Sequence, residues 1–229
     1  MNWIYLKSCN PADALALATV ISYSNETYHI VRRTINSYFF KGLNNVTIEF
    51  YPNSNEDNLL VVEELKNKSW QSTCNILAQR LGVNVPDKCQ PYLGFVVRNI
   101  NIIKHWGEAK SILLYLFPHP DDNLNLFMLD QLIRLFENKG TKAVSGGSIA
   151  LPCIKGTKDL RQVIDLPILI SLKEKIQFIV TSELSLKVIG EAIGIKVYFV
   201  SCMPNMTIDD IPVADASQMA NYITKSNKP

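Results

Sequence analysis

The residues of this chain that can do chemistry are few and scattered. Asp13 closes the segment Lys7-Ser-Cys-Asn-Pro-Ala-Asp13, between an apolar stretch and a long apolar run. A carboxylate at such a strand-to-helix turn can take the proton of a hydroxyl within hydrogen-bond reach. It can equally serve as a helix-terminal acid that caps the first turn, a placement that lowers its pKa and weakens it as a base. In the same loop Lys7 can hold a negative charge or simply point into solvent, and Ser8 and Asn10 offer a hydroxyl and an amide. Ser145-Gly146-Gly147-Ser148 follows a predicted strand; glycines there let backbone N–H groups approach a phosphate, though Gly-Gly also marks ordinary turns. Glu183, at another strand end, suits a ribose or sugar hydroxyl. Lys187 lies one turn on and suits a phosphate, unless the two form a solvated i, i+4 pair.

Several chemistries are excluded or unsupported. His119, Asp121 and Asp122 share one tight loop but have no recognised metal-ligand spacing, so neither a metal nor another cofactor is expected. Three histidines without a GxSxG motif give no triad, and the GxGxxG and Walker A patterns are missing. The five cysteines are scattered, with no CxxC pair, which argues against a zinc site and for a reducing cytoplasm. Lysines and arginines outnumber acids by only two, so binding nucleic acid by bulk charge is disfavoured. Arg32, Arg33, Arg98 and Lys104 could rim an anionic acceptor, but such dispersed charges are usually solvated surface. No apolar run reaches membrane-spanning length, and the first residues lack a signal-peptide core. The sequons at Asn25, Asn45, Asn67 and Asn205 read as chance in so Asn-rich a chain.

The elements that must position these residues alternate. Asn2–Lys7 reads as a strand, and residues 12–24, apolar on nearly every face, as a helix packed on both sides. Strands over 27–31 and 46–51 flank a short helix at 34–40. Residues 52–57 form a polar turn, and 59–81 read as one helix, breakable near Ser69 and stopped by Gly82. After a loop and an ambiguous stretch, residues 107–110 look like a linker. A buried strand follows at 111–117, then a helix over 123–139 capped by Asp121 or Asp122 and ended by Gly140. A strand at 142–145 runs into the tight loop 145–148. A short helix (168–173), a strand (177–181), a helix (184–193) ended by Gly194, and a strand (196–201) complete the second half. A polar tail ends in a helix over 216–224. This βαβ alternation predicts an α/β protein with domains at 1–106 and 107–229. Two such halves facing each other leave a cleft at the carboxyl ends of their strands.

The residues also resemble a family. The opening Lys7-Ser-Cys-Asn-Pro-Ala-Asp13-Ala-Leu15 is similar to the first strand, loop and apolar helix of the heptosyltransferase-like glycosyltransferases, glycosyltransferase family 9. The second half is similar in its order of elements. Phe117-Pro-His-Pro120 precedes a long helix, then come Lys139-Gly-Thr-Lys-Ala-Val144, Gly146-Gly147, Asp159-Leu-Arg-Gln162, Gln177–Glu183 and Gly190–Phe199. The chain departs from the family in three ways. It is short in the N-terminal half, Ala12 stands where the family has glycine, and Glu183-Leu-Ser-Leu-Lys-Val188 lacks the histidine of the donor signature.

The resemblance implies a small GT-B arrangement of two Rossmann-like domains, acceptor-binding then donor-binding, and metal-independent, inverting sugar transfer in the cytoplasm. Asp13 would act as the catalytic base on the acceptor hydroxyl. The nucleotide-sugar donor would lie against 117–122, 145–148 and 182–187. That makes Lys7, Ser8, Asn10, His119, Ser145, Gly146, Gly147, Ser148, Ser182, Glu183 and Lys187 the expected substrate-binding residues. Asp121 and Asp122 would repel a diphosphate, so their loop suits a helix cap. The acceptor expected from the family is a saccharide or lipopolysaccharide. Two alternatives stand beside it: a hydroxymethylated base in DNA, and a non-catalytic remnant that binds a nucleotide or a protein.

Overall fold

The computed structural model describes residues 2–8, 10–32, 36–49, 59–65, 68–96, 106, 110–118, 124–161, 163–202 and 205–227. The expected turn at 52–57, the linker at 107–109, and His119, Asp121 and Asp122 lie outside them, as do Arg33, Arg98 and Lys104. The chain divides into two compact units, Met1–Val96 with Glu191–Ile193, and Val97–Gly190 with Gly194–Pro229.

The first unit holds a four-stranded parallel sheet built from β1 (Asn2–Leu6), β2 (Tyr28–Arg32), β3 (Val46–Glu49) and β4 (Leu59–Val62), in the order β3-β2-β1-β4. Helix α1 (Pro11–Ser22) connects β1 to β2, and every residue from Ala12 to Ile21 is buried. A helix without a polar face must be covered on all sides. It starts where Asn10 caps it, accepting the Ala12 N–H at 2.9 Å, with Pro11 in the first turn where a missing N–H costs nothing. A 3-10 helix spans Asn36–Phe40. Helix α2 (Trp70–Leu81) begins at its Ser69 cap and ends at Gly82, which is left-handed at φ 65°.

The single helix expected over 59–81 is therefore two elements, a strand and then a helix. Four consecutive apolar residues, Leu-Leu-Val-Val, fit either period, and length alone separates them. What decides is tertiary: Leu59 to Val62 pair in parallel with Trp3 to Leu6, completing the sheet beside β1. The break falls at Ser69 because its side chain caps α2.

The second unit holds a seven-stranded sheet in the order β11-β10-β9-β8-β5-β6-β7. Its strands are β5 (Ser111–Leu116), β6 (Lys142–Gly147), β7 (Lys158–Asp159), β8 (Ile176–Thr181), β9 (Val197–Ser201), β10 (Thr207–Ile208) and β11 (Ile211–Pro212). All neighbours are parallel except β10, which runs antiparallel to both β9 and β11. Helices α3 (Leu126–Glu137), α4 (Leu166–Ser171), α5 (Ser185–Ile193, its last three residues counted in the first unit) and α6 (Ala216–Ser226) alternate with or follow these strands in the chain. A core of Leu129, Leu132, Ile133, Phe178, Val180, Tyr198, Met219 and Ile223 joins α3 and α6 to β8 and β9. Strand β5 is buried at all six positions, as a central parallel strand covered on both faces must be.

Helix α3 is capped by Asn125, whose side chain accepts the Met128 N–H, and not by Asp121 or Asp122. The apolar stripe starts only at Leu126, so the helix begins later than composition alone suggested. Three strands of the second sheet, β7 and the β10–β11 hairpin, carry no sequence signal, because two-residue strands leave no periodicity. At the hairpin turn, Asp209 and Asp210 are both left-handed, at φ 49° and 66°. Asp209 is held there: it accepts the Phe199 N–H at 3.0 Å and pairs with Lys187 at 2.9 Å. Asp210 is exposed, so Asp210→Gly, which removes the left-handed cost, should raise stability by about 0.5–1 kcal/mol in denaturant titration. Among the described residues no helix is long and apolar enough to cross a membrane.

Candidate active site

In an open parallel sheet ligands collect at the carboxyl ends of strands, where successive connections leave in opposite directions. In the first sheet that point lies between β1, whose connection leads to β2, and β4 on its other side. The residues singled out in the first loop gather there. Asp13 is 1% exposed; its Oδ2 accepts the Ser8 hydroxyl at 2.6 Å and the Leu65 N–H, from beyond β4, at 3.1 Å. Burial raises the Asp13 carboxyl above its ordinary value; the two hydrogen bonds oppose that and the nearby Glu64 charge adds to it.

Two expectations are corrected here. Asp13 does not cap α1, because Asn10 does. Nor is its pKa lowered, since loss of water outweighs the two hydrogen bonds that favour the charged form. Lys7 lies outside this cluster: its ammonium pairs with Glu63 at 2.9 Å, both side chains largely exposed. Asn10 is committed through its Oδ1 to the helix cap. Of the four, Ser8 and Asp13 are brought together and buried.

In the second sheet the corresponding point lies between β5 and β8. Ser182 ties the two strand ends, its Oγ accepting the Phe117 N–H and donating to the Phe117 carbonyl, both at 2.9 Å. Beneath it Thr181 Oγ1 donates to the Tyr115 carbonyl at 2.6 Å and accepts the Glu183 N–H at 2.9 Å. Glu183 Oε1 accepts the Ser185 hydroxyl at 2.9 Å. Leu184, which precedes α5, makes no side-chain cap; the Leu186 and Lys187 N–H groups donate instead to the Glu183 and Leu184 carbonyls, at 3.1 and 3.0 Å. Tyr115 is buried beside β6, its hydroxyl donating to the Ile164 carbonyl at 3.2 Å, and burial pushes its phenol up.

The tight loop expected at 145–148 is instead the end of strand β6, which runs through Gly147. Its glycines answer to the neighbouring strand. A Cβ at Gly146 would lie 2.9 Å from the Tyr115 ring, and one at Gly147, where φ is 84°, would lie 2.3 Å from the Leu116 carbonyl oxygen. Ser145 is buried, its hydroxyl 2.6 Å from that of Thr157. Only Ser148 stands past the strand end, its Oγ accepting the Ala150 N–H. Lys187 pairs with Asp209, neither with Glu183 nor at the strand ends; the hairpin that supplies Asp209 left no sequence signal. The segment after Ser148 is pinned by Arg161, which donates to both Asp159 oxygens and to the Leu151 carbonyl. That guanidinium holds the Asp159 carboxyl down, to about 2. Among the described residues no group of three or more His, Cys, Asp or Glu could hold a metal ion.

No known family profile matches the chain. No curated protein matches it either. Solved structures do. E. coli heptosyltransferase WaaC with ADP superposes with a TM-score of 0.61 at 11% identity, covering 99% of this chain and 98% of that one. The glycosyl transferase family 9 protein from Veillonella parvula DSM 2008 gives 0.58 at 10% identity, over 86% of this chain and 80% of that one. A UDP-GlcNAc 2-epimerase from Neisseria meningitidis, bound to UDP-GlcNAc, gives 0.53 at 10% identity, over 98% and 91%. The likeness read from Lys7–Leu15 and from the order of elements after residue 111 is thus to the same group of structures. At this identity what is shared is architecture: the chain carries the two-unit α/β fold of the family 9 heptosyltransferases, which the epimerase also has.

Proposed function

We propose that the protein is a glycosyltransferase that moves a sugar from a nucleotide-sugar donor to a hydroxyl acceptor of saccharide or lipopolysaccharide type, in the cytoplasm and without a metal ion. The observation that carries this reading is Asp13: a buried carboxyl of raised proton affinity, at the switch point of the first sheet, in a chain with the heptosyltransferase fold. The Asp13 carboxylate takes the proton of the acceptor hydroxyl. The acceptor oxygen bonds to the anomeric carbon from the side opposite the donor phosphate. The bond from that carbon to the phosphate oxygen breaks, and the nucleoside diphosphate leaves with the electron pair. A base whose pKa sits above the ordinary carboxylate value is the better proton acceptor.

The donor belongs to the second unit. The start of α5, which no side chain caps, presents the positive end of a helix dipole to the diphosphate. Ser148 and Glu183 stand past the ends of β6 and β8, the strands on either side of β5, where a hydroxyl and a carboxylate suit ribose or sugar hydroxyls. Ser145 and Lys187 have no part in this reading, since each is committed inside its own unit. WaaC was solved with ADP and with ADP-2-deoxy-2-fluoro heptose, so ADP-sugars come first among donors for this chain. Calorimetry with ADP-, UDP-, GDP- and CMP-sugars tests it: binding of one names the donor, and silence across the panel sinks the enzyme reading in favour of a fold without the activity.

A further inference from the structure

We propose that Ser8 is the positioning residue of this site: together with the Leu65 amide it pins Oδ2 of Asp13 and leaves Oδ1 to receive the acceptor proton. The inference rests on the reading of Asp13 as the base. Ser8 is 3% exposed, and its single proton goes to Asp13 at 2.6 Å. The Asn10 N–H, 3.1 Å from the same Oγ, occupies a lone pair and fixes the direction of that proton. The hydroxyl is therefore not free to donate to a substrate, which is the role its loop position suggested. Both bonds to the carboxylate fall on one oxygen, and among the described residues Oδ1 takes none.

This arrangement does two things. It fixes the plane of the carboxyl against rotation, so the unbonded oxygen keeps one direction. It also holds the ionised form against the cost of burial, because hydrogen bonds to a carboxylate favour its charge. The charged group that acts on Asp13 is Glu64, which pushes the other way. The nearby cation, Lys7, is spent on Glu63. Without Ser8 the balance shifts toward the proton.

The test is to follow the Asp13 carboxyl carbon by NMR across pH in the full, unliganded chain. Ser8→Ala should move its midpoint up by about one unit, the size of one hydrogen bond to a charge, and Ser8→Thr should restore it. In transfer assays Ser8→Ala should shift the acidic limb of the rate profile by the same amount, lowering kcat with the acceptor KM unchanged. An unmoved midpoint, or a loss confined to KM, overturns the inference. If the midpoint moves but Asp13→Asn transfers sugar like the parent, the reading of Asp13 as base falls and the positioning role falls with it. Should Ser8→Ala fail to fold, Ser8→Cys, with its weaker donor, must give an intermediate midpoint. In the unaltered protein the Leu65 amide resonance must titrate with that of Asp13. Failure of either overturns the proposal.

Discussion

Asp13→Asn should reduce sugar transfer by about 10²–10⁴-fold, the usual contribution of a positioned general base, while the protein stays folded. The asparagine carbonyl still accepts from Ser8 and from the Leu65 N–H, so the tie between the first loop and the end of β4 survives. The stability profile carries its own sign. Because burial raises the folded-state pKa, ionising Asp13 costs the native state. That cost enters as pH rises past the ordinary carboxylate value of about 3.9, and is complete above the raised one. Asparagine removes it. Relative to the parent, the variant therefore gains stability through that window and keeps the gain at neutral pH. Asp13→Ala should behave differently, stranding a buried hydroxyl and amide and costing about 1–3 kcal/mol. Thermal melts between pH 3 and 8, beside a radiolabelled transfer assay, separate the two. Undiminished transfer by the folded Asn variant would remove Asp13 from the chemistry.

Gly147→Ala should be among the most damaging single substitutions in the second unit. Two separate costs meet there. The residue is left-handed, at φ 84°, which for an L side chain costs about 1–2 kcal/mol. The new methyl would also sit 2.3 Å from the Leu116 carbonyl oxygen and 2.8 Å from the Leu116 nitrogen. Those are backbone atoms of the central strand, so relief requires β5 or β6 to move. The sum should exceed about 3 kcal/mol, or roughly 6–12 °C in melting temperature for a chain of this size. Gly82→Ala is the control: it is left-handed too, but nothing lies within 4 Å of its Cβ, so it isolates the backbone cost. Equal melting temperatures for the two variants would show that β6 yields freely. Because Gly147 leads into Ser148, the variant should also weaken donor binding, which calorimetry reads directly.

The parts of this molecule legible in sequence were those with long-range pattern. The apolar run 12–24, the stripe of α3 and the alternation after residue 111 each span enough residues for a period to show. Asp13 was legible as a residue but not in its environment. Nothing in Lys7–Asp13 reveals that Leu65, 52 residues on, will donate to the same oxygen as Ser8, or that Asn10 frees the carboxyl from capping. Local signals misled where two motifs share a composition. Gly146-Gly147 reads as a turn because glycine permits turns, yet here it permits a strand to lie against Tyr115 and Leu116. Leu59–Val62 reads as helix because it abuts one, and only its pairing with β1 makes it a strand. Lys187 looked available because its partner comes from a hairpin of two-residue strands.

That hairpin also closes an otherwise open flank. A parallel sheet ending at β9 would offer a ladder of unused amides and carbonyls to any other chain in solution. Here β10 covers β9 in the opposite direction, and the outermost strand is only Ile211 and Pro212, the second of which has no N–H to give. On this side the sheet ends in two residues with one donor between them, a poor template for a further strand.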